Sequence, residues 1–141
     1  GNRLKSDDAF GSIIAEKLRQ NLTDTPLADR IYDAGIAPEN YYGKLAKLNY
    51  NKILIIDAVV FDDEVGKLCL FTPEELSSSL VLTHGPSNFQ MMKMLLPTAE
   101  ILILAVRPEN IKLGEPISES VAHTIKIFID ELLYILNLKF D

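Results

Sequence analysis

Residues 52–60 read KILIIDAVV, an almost continuous apolar run that is interrupted by Asp57 near its end. Residues 99–106 read AEILILAV and form a second run of the same kind. Runs of this length without polar alternation are typical of strands that are covered on both faces, as in a parallel sheet. The two segments therefore predict two buried strands at the centre of the fold.

Apolar residues recur at helical spacing in four segments around these runs, near residues 8–18, 38–48, 86–96 and 118–135. Pro38 suits the first turn of the second helix, and Ser118 is able to cap the last one. Alternation of strands and helices is the signature of an α/β fold with a largely parallel sheet.

Two shorter strands are predicted beside the long ones, at residues 29–33 (DRIYD) and 67–71 (KLCLF). The second follows the run at 52–60 after a short turn-rich link, and a link of that length favours an antiparallel neighbour. The predicted architecture is a three-layer α/β/α sandwich in a single domain, residues 1–141, with a mostly parallel sheet and one antiparallel strand.

Composition narrows the class of protein. The 141 residues are 48% hydrophobic and 24% charged, which is typical of one soluble globular domain. A net charge of −6 argues against a nucleic-acid partner, because such proteins carry basic faces. No signal peptide or long apolar span is evident, and the single Cys69 is unable to form an internal disulfide. These features predict a cytoplasmic protein without membrane insertion.

Three potential metal ligands lie far apart in the chain, at the ends of predicted elements. Asp8 lies at the start of the first helix, Asp57 near the end of a strand, and His84 in a loop before a helix. Ligands of open parallel sheets bind outside the carboxyl ends of the strands, so all three side chains are able to converge there. Two carboxylates and one imidazole suit a divalent ion that keeps open positions.

Each of these residues also has an ordinary structural explanation when it is taken alone. An acid such as Asp8 stabilises a helix N-terminus, and a buried Asp57 can serve a structural ion pair. A loop histidine such as His84 often has no role. Arg107 follows the last strand, and two roles stay open for it: pairing with a substrate carboxylate or capping the end of the strand.

Several short motifs resemble, in order along the chain, those of the hydrogenase maturation endopeptidases, which process the large subunit of nickel–iron hydrogenases. The segments that carry the resemblance are residues 1–11 (GNRLKSDDAFG), 33–40 (DAGIAPEN), 55–59 (IIDAV), 83–84 (TH) and 106–109 (VRPE). Residues 33–40 are most similar to the branch that serves formate-hydrogenlyase-type hydrogenases. Together the matches span nearly the whole chain.

The resemblance implies an endopeptidase that removes a C-terminal extension from the large-subunit precursor after nickel has been inserted. It implies that Asp8, Asp57 and His84 engage the nickel of the substrate, with Asp8 and Asp57 catalytic and His84 and Asp33 binding substrate. It implies no obligatory cofactor, although isolated members can pick up an adventitious divalent ion, and it is consistent with a monomer.

Two departures from the family pattern accompany the resemblance. Ala34 replaces the first glycine of the usual pair, which can narrow backbone freedom at that turn. The family's central first strand is missing from this sequence, which opens at Gly1, and a chain that truly started there is expected to be destabilised.

No serine or cysteine nucleophile competes with a water mechanism in the sequence. Ser77, Ser78 and Ser79 lack a nucleophile-elbow motif, and Cys69 lacks a neighbouring histidine. Direct attack by water is therefore expected. Two alternative functions stay open: a non-catalytic metal-sensing or chaperone-like binder of the same precursor, and a small-ligand α/β protein without peptide chemistry.

Overall fold

A computed structural model describes residues 1–79 and 88–140 of the chain. Its regular elements, in chain order, are α1 (Phe10–Asn21), α2 (Tyr42–Leu48), β1 (Lys52–Ala58), β2 (Leu68–Phe71), α3 (Pro73–Ser79), α4 (Asn88–Leu95), β3 (Glu100–Val106) and α5 (Glu119–Phe140). Short 3₁₀ segments at Ser6–Ala9 and Pro38–Tyr41 run directly into α1 and α2.

The described strands form one mixed sheet in the order β1-β3-β2. β1 and β3 are parallel and pair Asp57 with Ala105, whereas β2 is antiparallel to β3 and pairs Leu68 with Val106. The predicted sheet of mostly parallel strands with one antiparallel member is confirmed. Within residues 1–79 and 88–140, β1 has a ladder on one side only.

Helices cover both faces of this sheet, and alternate residues of β3 point to opposite faces. One face packs on α1 and α5 through a cluster of buried side chains that includes Phe10, Ile14, Val106, Val121 and Ile125. The other face packs on α2, α3 and α4 through two clusters that include Tyr42, Leu45, Val59, Leu76, Met92, Leu96, Ile101, Ile103 and Ala105. The predicted three-layer arrangement follows from this division.

The predicted strand at residues 29–33 is wrong. Residues Ala28–Arg30 form a 3₁₀ turn, and Ile31, although extended at φ −104° and ψ 118°, belongs to no described ladder. The Asp33 side chain instead accepts the N–H of Gly35 at 3.1 Å, and Gly35 adopts φ +58°. This local turn competes with strand pairing, because Asp side chains readily bond the backbone two residues later.

Helix starts follow local capping chemistry. Thr72 Oγ1 accepts the N–H of Glu75 at 3.2 Å while Glu75 Oε2 accepts the N–H of Thr72 at 3.1 Å, which is a capping box at the start of α3. Ser118 Oγ accepts the N–H of Val121 at 3.4 Å, as the sequence predicts for α5. Among the described helices, none has the length and apolar character needed to cross a membrane.

Candidate active site

Asp57 lies at the carboxyl end of β1, one residue before the strand ends, and its side chain is half-buried. Its Oδ1 accepts the backbone N–H of Ala58 at 2.9 Å. Burial raises the pKa of this carboxyl to about 6, and the nearby Asp8 carboxylate acts in the same direction. The Ala58 N–H opposes the rise in pKa. A carboxyl group of this kind exchanges a proton close to neutral pH.

Gly11 allows α1 to approach this strand end at backbone distance. A Cβ placed on Gly11 would overlap the carbonyl oxygen of Ile56 and would lie 3.8 Å from the Cα of Asp57. Only glycine fits such an approach without a shift of the helix or the strand. The contact carries Asp8, three residues before Gly11, to the end of β1. The structure therefore brings two of the predicted site residues together.

Asp8 is held by the segment that opens the chain. The N–H of Asn2 lies 3.0 Å from the carbonyl oxygen of Asp8 and 3.2 Å from its carboxylate Oδ2. The N–H of Asp8 donates to the carbonyl of Lys5 at 3.0 Å. Ser6, directly before the acidic pair, is buried and adopts the left-handed value φ +48°, which is strained for a residue with a Cβ.

Asp7 is the residue of this segment that sequence reasoning missed. Its side chain is fully buried, and its carboxylate accepts hydrogen bonds from four donors in the stretch after β3. The donors and distances are Glu109 N at 2.8 Å, Asn110 N at 3.1 Å, Ser118 N at 2.8 Å and Ser118 Oγ at 2.9 Å. Asp7 thus ties the loop that presents Asp8 to the segment between β3 and α5. The sequence does give a hint of this role, because Asp7 and Asp8 are adjacent and one acid is enough to stabilise a helix N-terminus. The second acid therefore calls for another explanation.

Asp33 lies beside a separate depression of about 370 Å³ whose wall includes Asn2, Arg3 and Ser12. Asp8 and Asp57 do not line this depression. Asn2 connects the two sites, because it lines the depression and its N–H donates to the Asp8 carboxylate. Ser12 Oγ donates to Asp33 Oδ1 at 2.7 Å, and Arg3 donates to Oδ2 at 3.1 Å. Burial alone would raise the pKa of Asp33, but hydrogen bonds from Ser12, Arg3 and the Gly35 N–H outweigh it and lower the pKa.

Arg3 and Ser12 also escaped sequence reasoning, and they hold Asp33 ionised. Arg3 pairs with Glu16 at 2.6 Å as well as with Asp33, and it donates to the carbonyl of Ser12 at 3.1 Å. Both terminal nitrogens of this guanidinium therefore donate within the protein. Asp33 remains a predicted substrate-binding residue, now with defined internal partners.

His84, the third predicted ligand, lies outside the described residues. Its flanking helices can be placed: Leu76 of α3 and Phe89 after the start of α4 pack on the sheet face that carries Val59 and Ala105. Across residues 1–79 and 88–140, no three acidic, histidine or cysteine side chains form a cluster that would bind a metal ion. The described part of the site is therefore the carboxyl pair of Asp8 and Asp57.

Comparison with known proteins shows which family this chain is similar to. Residues 13–135 match the HycI family model, described as hydrogenase maturation protease. Hydrogenase 3 maturation protease of Escherichia coli strain K12 is 22% identical over 135 residues, which cover 94% of this chain and 84% of the relative. The fold also resembles solved structures of such proteins.

The crystal structure of the [NiFe] hydrogenase maturation protease HycI from Thermococcus kodakarensis KOD1 is 28% identical with a TM-score of 0.79, covering 97% of this chain and 88% of that one. The solution structure of the Escherichia coli endopeptidase HycI is 21% identical with a TM-score of 0.77, covering 92% and 83%, and at that identity it supports the fold alone. The family model spans well over half of the chain, and this protein therefore belongs to the hydrogenase maturation protease family.

Proposed function

We propose that this protein is an endopeptidase that removes the C-terminal extension of a nickel-loaded hydrogenase large-subunit precursor. The observation that carries the proposal is the pairing of Asp8 with Asp57 at the carboxyl end of β1, where Asp57 has its pKa raised to about 6. Family membership supplies the class of reaction. In this proposal the protein acts as a cytoplasmic monomer, without an obligatory cofactor of its own.

The donor set suits the nickel of the precursor as a substrate group. Two carboxylates, Asp8 and Asp57, and the imidazole that the sequence predicts beside them, that of His84, would be a mixed oxygen and nitrogen set that suits a divalent ion with open positions. An ion held there would be able to polarise a nearby carbonyl group or to activate a water molecule. Recognition of nickel by the protease would restrict cleavage to precursors that have already received their metal.

The carboxyl pair also provides acid–base chemistry. In a hydrolytic step, water oxygen attacks the carbonyl carbon of the scissile peptide bond, and a carboxylate oxygen that stays free of metal accepts the proton of that water. The same proton then passes to the departing amine as the C–N bond breaks. A carboxyl group with a pKa of about 6, such as Asp57, is able to serve in both directions near neutral pH.

Asp7 and Gly11 act through Asp8 in this scheme. Gly11 sets how closely α1 approaches the Ile56 carbonyl, and Asp7 fixes the loop before α1 to Glu109 and Ser118. Both contacts limit the freedom of Asp8 relative to Asp57. Catalytic groups lose much of their effect when their geometry is loosened by about an ångström.

The test is a cleavage assay on a nickel–iron hydrogenase large-subunit precursor, prepared with and without nickel, with shortening of the chain read by mass spectrometry. Wild type is expected to trim only the nickel-loaded precursor, and Asp57→Asn and Asp8→Asn are expected to abolish trimming. Asp24→Asn, which replaces an exposed carboxylate outside the site, is the matched control. Binding of the precursor without trimming by wild type would replace the endopeptidase by a non-catalytic binder.

A further inference from the structure

Arg107 directly follows β3, and its backbone continues the sheet by one residue. Its N–H donates to the carbonyl of Lys67 at 2.9 Å, and its carbonyl accepts the N–H of Gly66 at 2.8 Å. The antiparallel ladder that pairs Leu68 with Val106 therefore includes Arg107. Because side chains alternate along a strand, the Arg107 side chain shares a face with Ala105.

Asp57 shares that face. It is the register partner of Ala105 in the parallel ladder, and the residues two positions before and after it, Ile55 and Val59, pack with Ala105 in one cluster. Arg107 thus follows the Asp57–Ala105 pair by two residues, on the adjacent strand and toward the carboxyl end of the sheet. The Arg107 guanidinium and the Asp57 carboxyl therefore belong to the same face of the sheet, the face covered by α3 and α4.

The Arg107 side chain has no internal partner among the described residues. Its Nε is buried without a hydrogen bond, and no described carboxylate lies within ion-pair distance of its guanidinium. Glu109, two residues later, accepts from Ser120 Oγ at 3.1 Å instead. Arg3 contrasts with Arg107, because its guanidinium forms ion pairs with Glu16 and Asp33.

A buried donor without a partner is uncommon, because burial removes its hydrogen bonds to water and nothing replaces them. The backbone of Arg107 already completes the strand end, so the side chain is not needed as a cap. An arginine guanidinium binds carboxylates in a planar, bidentate geometry. The half-buried guanidinium at this sheet end is therefore suited to bind an anionic oxygen group.

We infer that Arg107 is a substrate-binding residue that receives a carboxylate of the precursor's C-terminal extension. The inference rests on the proposed function and deepens it, since it assigns a chemical feature to the segment that is removed. The carboxylate comes either from an acidic side chain of the extension or from the C-terminus of the precursor. Arg107 and the Asp8–Asp57 pair would then hold the extension and the bond to be cut, respectively.

The test compares wild type, Arg107→Gln, Arg107→Lys and the control Arg19→Gln, which removes an exposed arginine in the last turn of α1. Arg107→Gln is expected to raise KM for the nickel-loaded precursor roughly 10- to 100-fold with kcat largely retained, because the lost bond is charge-assisted. Arg107→Lys is expected to recover part of the loss, and Arg19→Gln to match wild type. An unchanged KM in Arg107→Gln, or a fall in kcat alone, would overturn the inference.

Altered precursors identify the carboxylate and separate this role from a purely structural one. One precursor carries amides in place of the acidic side chains of the extension, and another carries two added neutral residues at its C-terminus. The precursor in which the relevant carboxylate has been removed or displaced is expected to be handled equally by wild type and Arg107→Gln. If neither change narrows the difference between the two enzymes, Arg107 does not bind a carboxylate.

Failure of the proposed function would be seen separately. If wild type binds the precursor without cutting it, the affinities of the same variants are compared, and a weaker complex for Arg107→Gln alone still supports the inference. Normal cutting with no effect of Arg107→Gln overturns the inference and leaves the endopeptidase intact. An absence of both cutting and binding by wild type overturns both. Cooperative unfolding of each variant is checked first, and Arg107→Lys replaces Arg107→Gln if the latter is unfolded.

Discussion

The carboxylate of Asp7 accepts both the backbone N–H of Ser118 at 2.8 Å and the Ser118 hydroxyl at 2.9 Å, across 111 residues of chain. Ser118 in turn accepts the N–H of Val121 in the first turn of α5. A single buried carboxylate therefore joins the loop before α1 to the start of α5. Since Asp8 is the next residue, the position of the candidate catalytic acid depends on this connection.

Replacement of Asp7 by asparagine is expected to destabilise the fold. An amide presents one oxygen and one NH₂ group to four donors, so part of the buried network loses its acceptor. The expected loss in the free energy of unfolding is about 2–4 kcal/mol, measured by urea denaturation. Ser118→Ala removes one donor and should cost about 1 kcal/mol. Equal stability of Asp7→Asn and wild type would show that the network is not required.

The long strands and the meeting of Asp8 with Asp57 could be predicted because the rules involved are local. A short apolar run such as residues 53–56 is typical of a strand that is covered on both faces. Parallel strands bring their carboxyl ends to one edge of the sheet, so the sequence predicts that the acid at the end of β1 and the acid before α1 lie close together.

Other features depend on partners that are distant in sequence. Nothing local distinguishes Asp7, which is fully buried, from Asp8, which is not, because the donors to Asp7 come from residues 109–118. Residues 29–33 have the composition of a strand, but the structure describes no ladder for them, and the Asp33 turn to Gly35 uses the same side chain. Strand propensity without a paired neighbour is insufficient.

Addition of one methyl group at Gly11 is expected to disturb the site. The alanine Cβ would overlap the Ile56 carbonyl oxygen, so α1 must move away from β1. We expect Gly11→Ala to lower the free energy of unfolding by about 1–3 kcal/mol and to reduce cleavage of the precursor at least tenfold.

The control for that experiment is Gly43→Ala in α2, where a Cβ has open space within 4 Å. Alanine there should stabilise the helix by about 0.5–1 kcal/mol and leave cleavage unchanged. Thermal unfolding and the cleavage assay on both variants provide the measurement. A Gly11→Ala variant as stable and active as Gly43→Ala would contradict the close packing of α1 on β1.

Asp33→Asn is expected to lower the free energy of unfolding only at pH values at which Asp33 of the wild type is ionised. Because hydrogen bonds from Ser12 and Arg3 lower its pKa in the folded state, the ionised form stabilises the protein above the ordinary value near 3.8, and this contribution is lost as the pH falls. Both partners in the ion pair are partly exposed, so the difference between wild type and Asp33→Asn should be below about 1 kcal/mol. Urea denaturation at pH 7 and pH 3 should show the difference shrinking at the lower pH; a difference that grew there would reverse the assigned direction.

Asp57→Asn is expected to have the opposite pH dependence. Burial raises the pKa of Asp57 from 3.8 to about 6, so the folded state holds a proton that the unfolded state has released between these values. The stability that this proton supplies is fully present below about pH 4 and is lost as the pH rises through 6. Asparagine does not titrate and has no such loss. The free energy of unfolding of Asp57→Asn, relative to that of wild type, should therefore rise by roughly 2–3 kcal/mol between pH 4 and pH 8. Urea denaturation across that range measures the gain, with Asp24→Asn as the control for loss of one exposed charge. A constant difference between Asp57→Asn and wild type at every pH would mean that Asp57 is solvated like an ordinary surface acid, and its role as a proton carrier near neutral pH would lose its physical basis.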